Sequence, residues 1–175
     1  MDKGYIQIYT GEGKGKTTAA LGLSFRAAGR GKRVLFVQFL KGMKTGEQIS
    51  INENDNIEHL KIAETVRFFN TLSEGEQYEL KTRTQTEWED LKKRIGTDSL
   101  DILVLDEIMA AMQHRLIDEE DVLELLKNRP LEMEVILTGR SASRNLIEEA
   151  DLVTEMKNVK HYYNKGILSR IGIEY

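Results

Sequence analysis

A glycine-rich stretch between a strand pattern and a helix pattern constrains the fold more than any other part of this sequence. The stretch runs from Thr10 to Thr18 and reads TGEGKGKTT. Residues 5–9 before it alternate apolar with polar side chains, as a strand does. The residues after it, up to about residue 30, are rich in alanine and leucine and end with glycines, as a helix does. A strand that turns through glycines into a helix is typical of the first unit of a parallel α/β sheet.

The same stretch predicts a binding site for a chain of phosphates. Glycines let the backbone curl so that successive amide N–H groups point inward, and the following helix adds the positive end of its dipole. Lys16 supplies a mobile positive charge, and the hydroxyl of Thr17 can join the inner shell of Mg²⁺. The standard pattern has glycine where this chain has Thr10, so a glycine-rich turn without a ligand stays the alternative. The predicted ATP-binding positions in this stretch are Gly11, Glu12, Gly13, Lys14, Gly15, Lys16, Thr17 and Thr18.

Strand and helix patterns alternate along the rest of the chain. No repeat, linker or low-complexity stretch divides it, and its length of 175 residues suits one domain over residues 1–175. We expect an α/β fold of the RecA-like P-loop NTPase type, with a mostly parallel sheet of about six strands and helices on both faces. The segment 41–56 shows no clear strand or helix pattern and is expected to be a looser connection. The further strands are predicted at residues 33–39, 57–62, 101–106, 134–138 and 152–155.

Capping residues predict where the later helices begin. Ser73 followed by Glu76 forms a capping box, and Asp118 is predicted to cap a helix that ends before Pro130. A short helix is also expected at residues 143–150. The helix after Ser73 should bury one face, because large apolar residues recur in it at helical spacing: Leu80, Trp88, Leu91 and Ile95.

Charged residues follow two of the most apolar strands. One strand ends in Asp106 and Glu107, and another is followed closely by Arg140. Because ligands bind beyond the carboxyl ends of parallel strands, we expect these side chains to face the glycine-rich stretch. The carboxylates would hold a metal with Thr17, and Arg140 would bind phosphate; a helix-capping carboxylate and a surface arginine are the alternatives. The weaker phosphate-binding candidates are Lys14 and Arg26.

Composition and spacing exclude several classes of site. The net charge of −4 gives no broad basic surface for nucleic acid or anionic lipid, and no cysteine is present for disulfides or thiolate chemistry. There is no signal-peptide core and no stretch apolar enough to span a bilayer, so we expect a cytoplasmic protein. The histidines lack the spacing of zinc ligands, so structural or surface roles are expected for His59, His114 and His161.

Beyond these patterns, a set of short motifs resembles the ATP:corrinoid adenosyltransferases. Residues 9–20, which read YTGEGKGKTTAA, are similar to the phosphate-binding loop of that family. Other matching motifs follow in the family's order and leave only residues 44–98 weakly matched. They are Gly31-Lys32, Val37-Gln38-Phe39, Lys41-Gly42, Val104-Leu105-Asp106-Glu107, Asn128-Arg129-Pro130, Leu137-Thr138-Gly139-Arg140, Ala150-Asp151 and Val159-Lys160-His161.

The resemblance implies a reaction and the residues that serve it. Members transfer the 5′-deoxyadenosyl group of ATP to the cobalt of a reduced corrinoid, cobalamin or a precursor of it, and release triphosphate. Because the cobalt is the nucleophile, the protein needs none of its own. The resemblance also implies Mg²⁺, or Mn²⁺ in its place, an electron donor such as a reduced flavoprotein, and a homodimer. The implied catalytic residues are Lys16, which neutralises the triphosphate, and Thr17 and Glu107, which hold the metal, while Asp106 orients that metal shell.

The chain departs from the family's pattern where the corrinoid would bind. Known members carry an amino-terminal extension that helps to cover the corrinoid of a dimer partner, whereas nine residues precede Thr10 here. We therefore expect this cover to be missing or supplied differently. Members also carry a Phe-x-Trp pair that helps to displace the lower cobalt ligand, and the corresponding region here reads Val66-Arg67-Phe68-Phe69. Phe68 and Phe69 are the predicted corrinoid contacts. A core or interface role is the alternative for this pair, as it is for Tyr162-Tyr163, because aromatic pairs generally have such roles.

Two other functions fit the same residues. A P-loop kinase or ATPase would transfer the γ-phosphate to a hydroxyl group or to water, and would therefore form ADP rather than triphosphate. A non-catalytic corrinoid or nucleotide carrier would bind its ligand without turnover. The products that are formed from ATP distinguish these three functions.

Overall fold

A computed structural model describes residues 3–174, so Met1, Asp2 and Tyr175, at the two ends of the predicted domain, lie outside the described residues. Strands and helices alternate along the chain. The strands are β1 (Ile6–Thr10), β2 (Val34–Phe39), β3 (Ile57–Ile62), β4 (Ile102–Asp106), β5 (Glu134–Thr138) and β6 (Leu152–Glu155). The helices are α1 (Lys16–Ala28), α2 (Gly46–Asn52), α3 (Glu74–Thr97), α4 (Ile108–Gln113), α5 (Glu119–Asn128) and α6 (Arg144–Glu149), and short 3₁₀ turns occur at Phe69–Thr71 and Tyr162–Lys165.

The six strands form one parallel sheet in the order β3-β2-β4-β5-β1-β6. β1 and β2 are linked by α1 but are not neighbours, because β5 and β4 lie between them. The carboxyl ends of β4, β5 and β1 are therefore side by side, at the edge where such sheets bind ligands. The predicted α/β fold with a six-stranded parallel sheet is confirmed.

The apolar side chains of the strands alternate between two cores, one on each face of the sheet. On β2, Leu35 and Val37 belong to the core that includes residues of α3, α4, α5 and α6. Val34 and Phe36, which alternate with them, belong to the core that includes α1 and α2. Every residue of β2, β4 and β5 is buried, as expected for strands that are covered on both faces. The strand ends that carry the site are thus held by packing from both sides.

The capping box at the start of α3 is confirmed. The Ser73 hydroxyl accepts a hydrogen bond from the backbone N–H of Glu76 over 3.4 Å, and the Glu76 carboxylate accepts one from the backbone N–H of Ser73 over 2.8 Å. The four predicted apolar residues of this helix are buried, and the Trp88 ring packs against Phe39. α3 has 24 residues, yet no helix within residues 3–174 is both long and apolar enough to cross a membrane.

Two local predictions differ from the structure. The segment 41–56 contains α2, a helix of 7 residues that the sequence did not indicate. Only Gln48 and Ile51 of this helix are buried, so it has too little apolar periodicity to be recognised. Asp118 lies at the N-cap position of α5, but its side chain makes no capping hydrogen bond. The start of α5 is instead favoured by the acidic residues of its first turn, which interact with the helix dipole.

Candidate functional site

The glycine-rich loop packs against the chain just after β6 and requires glycine at specific positions. Gly11 and Gly15 have φ angles of 97° and 116°, in the left-handed region where a side chain is strained. A Cβ atom at Gly11 would also lie 2.5 Å from the carbonyl oxygen of Met156. The N–H of Gly13 donates to that same oxygen over 2.6 Å. The loop is therefore fixed against the sheet, and α1 begins directly after Gly15.

Lys16 lies within the loop rather than in solvent. The residue is only 7% exposed, and its ammonium group donates to the carbonyl oxygens of Gly11 (2.6 Å) and Gly13 (2.9 Å). Burial lowers the pKa of Lys16, and the charge of Glu107 opposes that shift. A phosphate chain that enters the loop can replace these carbonyl contacts with ion-paired hydrogen bonds, which are stronger. Lys16 is thus held inside the loop by the loop's own carbonyl groups.

Asp106 is fully buried at the end of β4, and four side chains hold its carboxylate. Its Oδ1 accepts hydrogen bonds from the hydroxyl groups of Thr17 (2.8 Å) and Thr138 (2.7 Å). Its Oδ2 accepts one from the amide of Gln38 (3.1 Å) and lies 3.3 Å from the ammonium group of Lys41. A buried carboxylate with this many donors has a fixed orientation. The network connects the start of α1 to strands β2, β4 and β5.

The sequence did not predict Gln38, Lys41 or Thr138 as members of this network, although each lies in a motif of the family pattern. The strand register explains why they meet. Gln38 pairs directly with Asp106 across β2 and β4, and the pairing of β4 with β5 brings Thr138 level with them. The available signal was a polar residue near the end of each buried strand, which can be used only once the strand order is known.

Glu107 follows in a strained backbone conformation. Its φ angle of 64° is uncommon for a residue with a side chain, and its N–H donates to the Thr138 hydroxyl over 3.0 Å. Burial raises the pKa of Glu107, and the neighbouring charge of Asp106 adds to that shift. A carboxylate that is costly to ionise gains from a nearby cation. Glu107 is therefore suited to bind a metal ion.

A cleft of about 430 Å³, which we call the phosphate cleft, lies over the loop. Its lining includes the loop residues 12–18 together with Glu107 and Arg140. Arg140 is largely exposed, and its guanidinium group lies 3.1 Å from the carboxylate of Glu12. Arg26 does not line the cleft. It lies in the last turn of α1, roughly 15 Å along the helix from the loop, so the structure does not bring this predicted phosphate contact to the site.

The last described residues form one wall of the phosphate cleft. The Glu174 carboxylate accepts hydrogen bonds from the ammonium group of Lys14 (2.8 Å), from the Tyr162 hydroxyl and from the backbone N–H of Arg170 (2.8 Å). Lys14 also donates to the carbonyl oxygen of Ile173 over 3.2 Å. Hydrogen bonds from Arg170, Lys14 and Tyr162 lower the pKa of Glu174. The sequence did not predict this wall, because no motif connects the end of the chain to the loop.

A second cavity of about 510 Å³, which we call the apolar cavity, opens beside the cleft. Phe68 lines it and is 86% exposed, whereas the Phe69 ring stacks on His114 with 4.3 Å between the ring centres. Lys41 and Glu174 line both the cavity and the cleft, so the two spaces adjoin. The remaining lining residues of the apolar cavity are Leu40, Gly42, Met43, Thr45, Thr65, Val66, Arg67 and Ala110.

The three histidines lie in three different places, and each is partly buried. His59 hydrogen bonds through Nε2 to the side-chain oxygen of Gln38 over 2.9 Å, His114 lines the apolar cavity, and His161 lines the phosphate cleft. Burial lowers the pKa of both His59 and His114. Within the described part of the chain, no three His, Asp or Glu side chains are grouped so that they could hold a metal by themselves.

The sequence pattern of the family described as ATP:corrinoid adenosyltransferase BtuR/CobO/CobP matches residues 2–175. A corrinoid adenosyltransferase from Sinorhizobium sp is 38% identical over 182 residues, with 99% of this chain and 81% of that protein covered. The corrinoid adenosyltransferase of Escherichia coli K12 is 34% identical over 180 residues, with 99% of this chain and 87% of that protein covered.

Solved structures resemble the chain in fold. The flagellar accessory protein FlaH from Methanocaldococcus jannaschii superposes with a TM-score of 0.59 at 13% identity, covering 89% of this chain and 72% of that one. The KaiC-like protein PH0186 from Pyrococcus horikoshii superposes with a TM-score of 0.54 at 19% identity, covering 87% and 73%. These likenesses agree with the predicted RecA-like P-loop NTPase fold.

Proposed function

The chain belongs to the ATP:corrinoid adenosyltransferase family, and we propose that its phosphate cleft and its apolar cavity are the two halves of one active site. The enzyme transfers the 5′-deoxyadenosyl group of ATP to the cobalt of a reduced corrinoid, and triphosphate is released. In our proposal, the phosphate cleft binds the triphosphate of ATP, and the apolar cavity binds the ring of cobalamin or of a precursor corrinoid.

A single observation carries this proposal: two cavities of different chemistry meet at Lys41 and Glu174. The cleft is surrounded by loop amides and charged side chains, which suit a polyanion. The cavity is lined mainly by apolar groups, which suit the face of a large ring. Transfer requires the 5′-carbon of ATP and the cobalt to be in contact, so the two binding sites have to adjoin.

The proposed work of the protein is to align the substrates and to stabilise the leaving group. The reduced cobalt supplies the electron pair for the new cobalt–carbon bond, and the electrons of the broken carbon–oxygen bond leave with the triphosphate. Charge on the triphosphate rises as that bond breaks. We assign its stabilisation to Lys16 and to the loop N–H groups at the start of α1, from Gly11 to Thr18. Arg140 is proposed to contact the same phosphates at the mouth of the cleft.

The residues around Asp106 fit a magnesium ion. The Thr17 hydroxyl and the carboxylates of Asp106 and Glu107 are hard oxygen donors, which Mg²⁺ and Mn²⁺ prefer. Because no three metal-binding side chains are grouped in the described part of the chain, phosphate oxygens and water would have to complete the shell. We propose that Thr17 and Glu107 hold the ion and that Asp106 orients them. When bound, the ion would neutralise phosphate charge.

Further parts of the proposal come from the family alone. We infer an electron donor, such as a reduced flavoprotein, that reduces the cobalt of the corrinoid. We also infer that the protein is a homodimer in the cytoplasm. We also propose that residues 1–175 act as one domain, since the single sheet extends from β1 to β6.

One incubation tests the proposed site. The protein is mixed with ATP, Mg²⁺ and chemically reduced cobalamin, and the cobalt spectrum and the phosphate products are followed together. We expect adenosylcobalamin and triphosphate in equal amounts. Formation of ADP would indicate a kinase or ATPase, and binding without products would indicate a carrier, so either result would overturn the proposal. Because both substrates are supplied directly, the result does not depend on the natural reductant.

A further inference from the structure

We propose that His59 is a positioning residue for the metal side of the active site, acting through Gln38 on Asp106. This inference rests on the proposed function, because it concerns the carboxylate that orients the metal ligands. His59 lies on β3, within the segment 44–98 where the family's motifs match this chain only weakly. It does not line the phosphate cleft, so any effect on that site has to be indirect.

The contact with Asp106 determines the orientation of the Gln38 amide. An ionised carboxylate only accepts hydrogen bonds, so the Gln38 atom that lies 3.1 Å from Asp106 Oδ2 has to be the amide nitrogen. Gln38 is fully buried, and water therefore cannot compensate for the opposite orientation. That orientation would bring an amide oxygen against the carboxylate inside the protein, which is unfavourable for both groups.

The orientation of this amide determines which nitrogen of His59 carries the proton. With the amide nitrogen of Gln38 directed at Asp106, the amide oxygen faces His59 Nε2 over 2.9 Å. An amide oxygen only accepts, so His59 has to carry a proton on Nε2. Burial and the nearby charge of Lys61 lower the pKa of His59, which favours the neutral ring, and the contact with Gln38 places its single proton on Nε2. His59 thus holds the amide in the orientation that Asp106 needs.

Asp106 connects this amide to the metal side of the proposed active site. Asp106 uses its other oxygen, Oδ1, to accept from Thr17 over 2.8 Å, and Thr17 is the proposed metal ligand. The donors to Oδ2 fix the rotation of the carboxylate and, with it, the position of Oδ1. A chain of polar contacts, from partly buried His59 through buried Gln38 and Asp106 to Thr17, therefore connects the outer strand β3 to the start of α1. Such outer partners are known to tune metal sites.

The test measures metal binding directly. Mn²⁺ is titrated into the full-length protein with saturating ATP, and free Mn²⁺ is followed by electron paramagnetic resonance. Loss of a direct partner of a metal ligand weakens metal binding by about 10- to 100-fold. His59 acts from further away, so we expect His59→Phe to weaken Mn²⁺ binding by about 3- to 10-fold. His59→Gln, which keeps a side-chain N–H donor, should bind Mn²⁺ within about 2-fold of wild type. In activity assays, His59→Phe should raise the metal concentration for half-maximal rate more than it lowers kcat.

Two controls keep the inference falsifiable. Glu58→Gln changes the same strand on its opposite face, where the side chain pairs with Arg94, and it should leave Mn²⁺ affinity unchanged. Gln38→Leu should weaken Mn²⁺ binding, and the double variant with His59→Phe should be no weaker than Gln38→Leu alone, because both act on one chain of contacts. Unchanged affinity in His59→Phe, or equal loss in His59→Gln, would overturn the role of His59. A wild-type protein that binds ATP but no Mn²⁺ would overturn the metal assignment itself.

Discussion

The phosphate cleft and the apolar cavity adjoin, yet they are constructed in different ways. The cleft is formed by a loop with constrained glycines and a buried lysine, and the carboxylate of Asp106, which four side chains hold, lies directly beneath it. The cavity is formed by connecting segments, and its most prominent aromatic residue, Phe68, is almost fully exposed. The charge of a phosphate chain has to be balanced by a few groups in fixed positions, whereas an apolar surface can be formed by many different residues. We therefore expect the cleft to be sensitive to single changes and the cavity to be more tolerant.

The largest expected effect distinguishes the two lysines of the loop. Lys16 is buried against the loop carbonyls, whereas Lys14 is turned towards Glu174. We expect Lys16→Ala to lower kcat/KM for adenosylation of chemically reduced cobalamin by roughly 10²- to 10³-fold, the usual cost of a lost charge-stabilising group. Lys14→Ala is the matched control and should lower kcat/KM by less than about 10-fold, because exposed charges contribute little. Near-normal turnover in Lys16→Ala would refute its role.

A change in the apolar cavity should have a smaller and more selective effect. Phe68→Ala removes an exposed ring that is proposed to help displace the lower cobalt ligand before reduction. We expect reactions that start from cob(II)alamin to slow by about 2- to 10-fold, as for the loss of one aromatic contact, while reactions that start from cob(I)alamin change little. Tyr78→Ala removes an exposed aromatic ring on α3, outside the apolar cavity, and serves as the control. Equal loss in both reactions would count against ligand displacement.

The wall between the two spaces gives a third prediction. The Glu174 carboxylate pairs with the ammonium group of Lys14, and in the proposed complex it would compete for that group with the triphosphate of ATP. Glu174→Gln should therefore tighten ATP binding, by about 1.5- to 5-fold on the scale of partly exposed ion pairs. Calorimetric titration with ATP measures this change. Glu148→Gln removes a similar ion pair on α6, remote from the site, and should have no effect. Weaker ATP binding in Glu174→Gln would show that the wall assists the nucleotide instead.

The smallest expected effect concerns stability. The pKa of Glu107 is raised in the folded protein, so its ionised form destabilises the fold at every pH above the usual pKa of a glutamate. Glu107→Gln removes that charge, and we expect the ligand-free protein to melt about 2–4 °C higher, the shift that about 1 kcal/mol gives in a chain of this size. The same variant should lose metal-dependent ATP binding. A lower melting temperature for Glu107→Gln would contradict the idea that the Glu107 charge serves function and destabilises the ligand-free fold.

The cleft was the more predictable half because its chemistry depends on local sequence. A strand followed by glycines and a helix places Gly11, Gly15 and Lys16 with little help from the rest of the fold. Asp106 and Glu107 were predictable for a similar reason, since they end a strongly apolar strand. The structure brings these residues together, and their roles in binding remain predictions.

What the sequence did not indicate depends on the order of the strands. Gln38 meets Asp106 only because β2 and β4 are neighbours, and this pairing is not encoded in either strand alone. The helix α2 and the wall at Glu174 were missed because neither has a local pattern. Arg26 was misplaced because a helix of 13 residues carries its far end away from the ligand edge. Contacts between residues that are distant in sequence could therefore not be predicted from local patterns, because they depend on how the strands are ordered in the sheet.

The contact between Lys14 and Glu174 joins residues that are 160 positions apart. Proteins are synthesised from the amino terminus, so the loop emerges from the ribosome long before its partner has been made. β6 also joins β1 late, because residues 152–155 follow every other strand. A nascent chain therefore passes through a stage in which most of the sheet can form while the phosphate cleft still lacks one wall. Ribosome-bound chains that are stalled before residue 174 would possess the loop but not the wall that covers it.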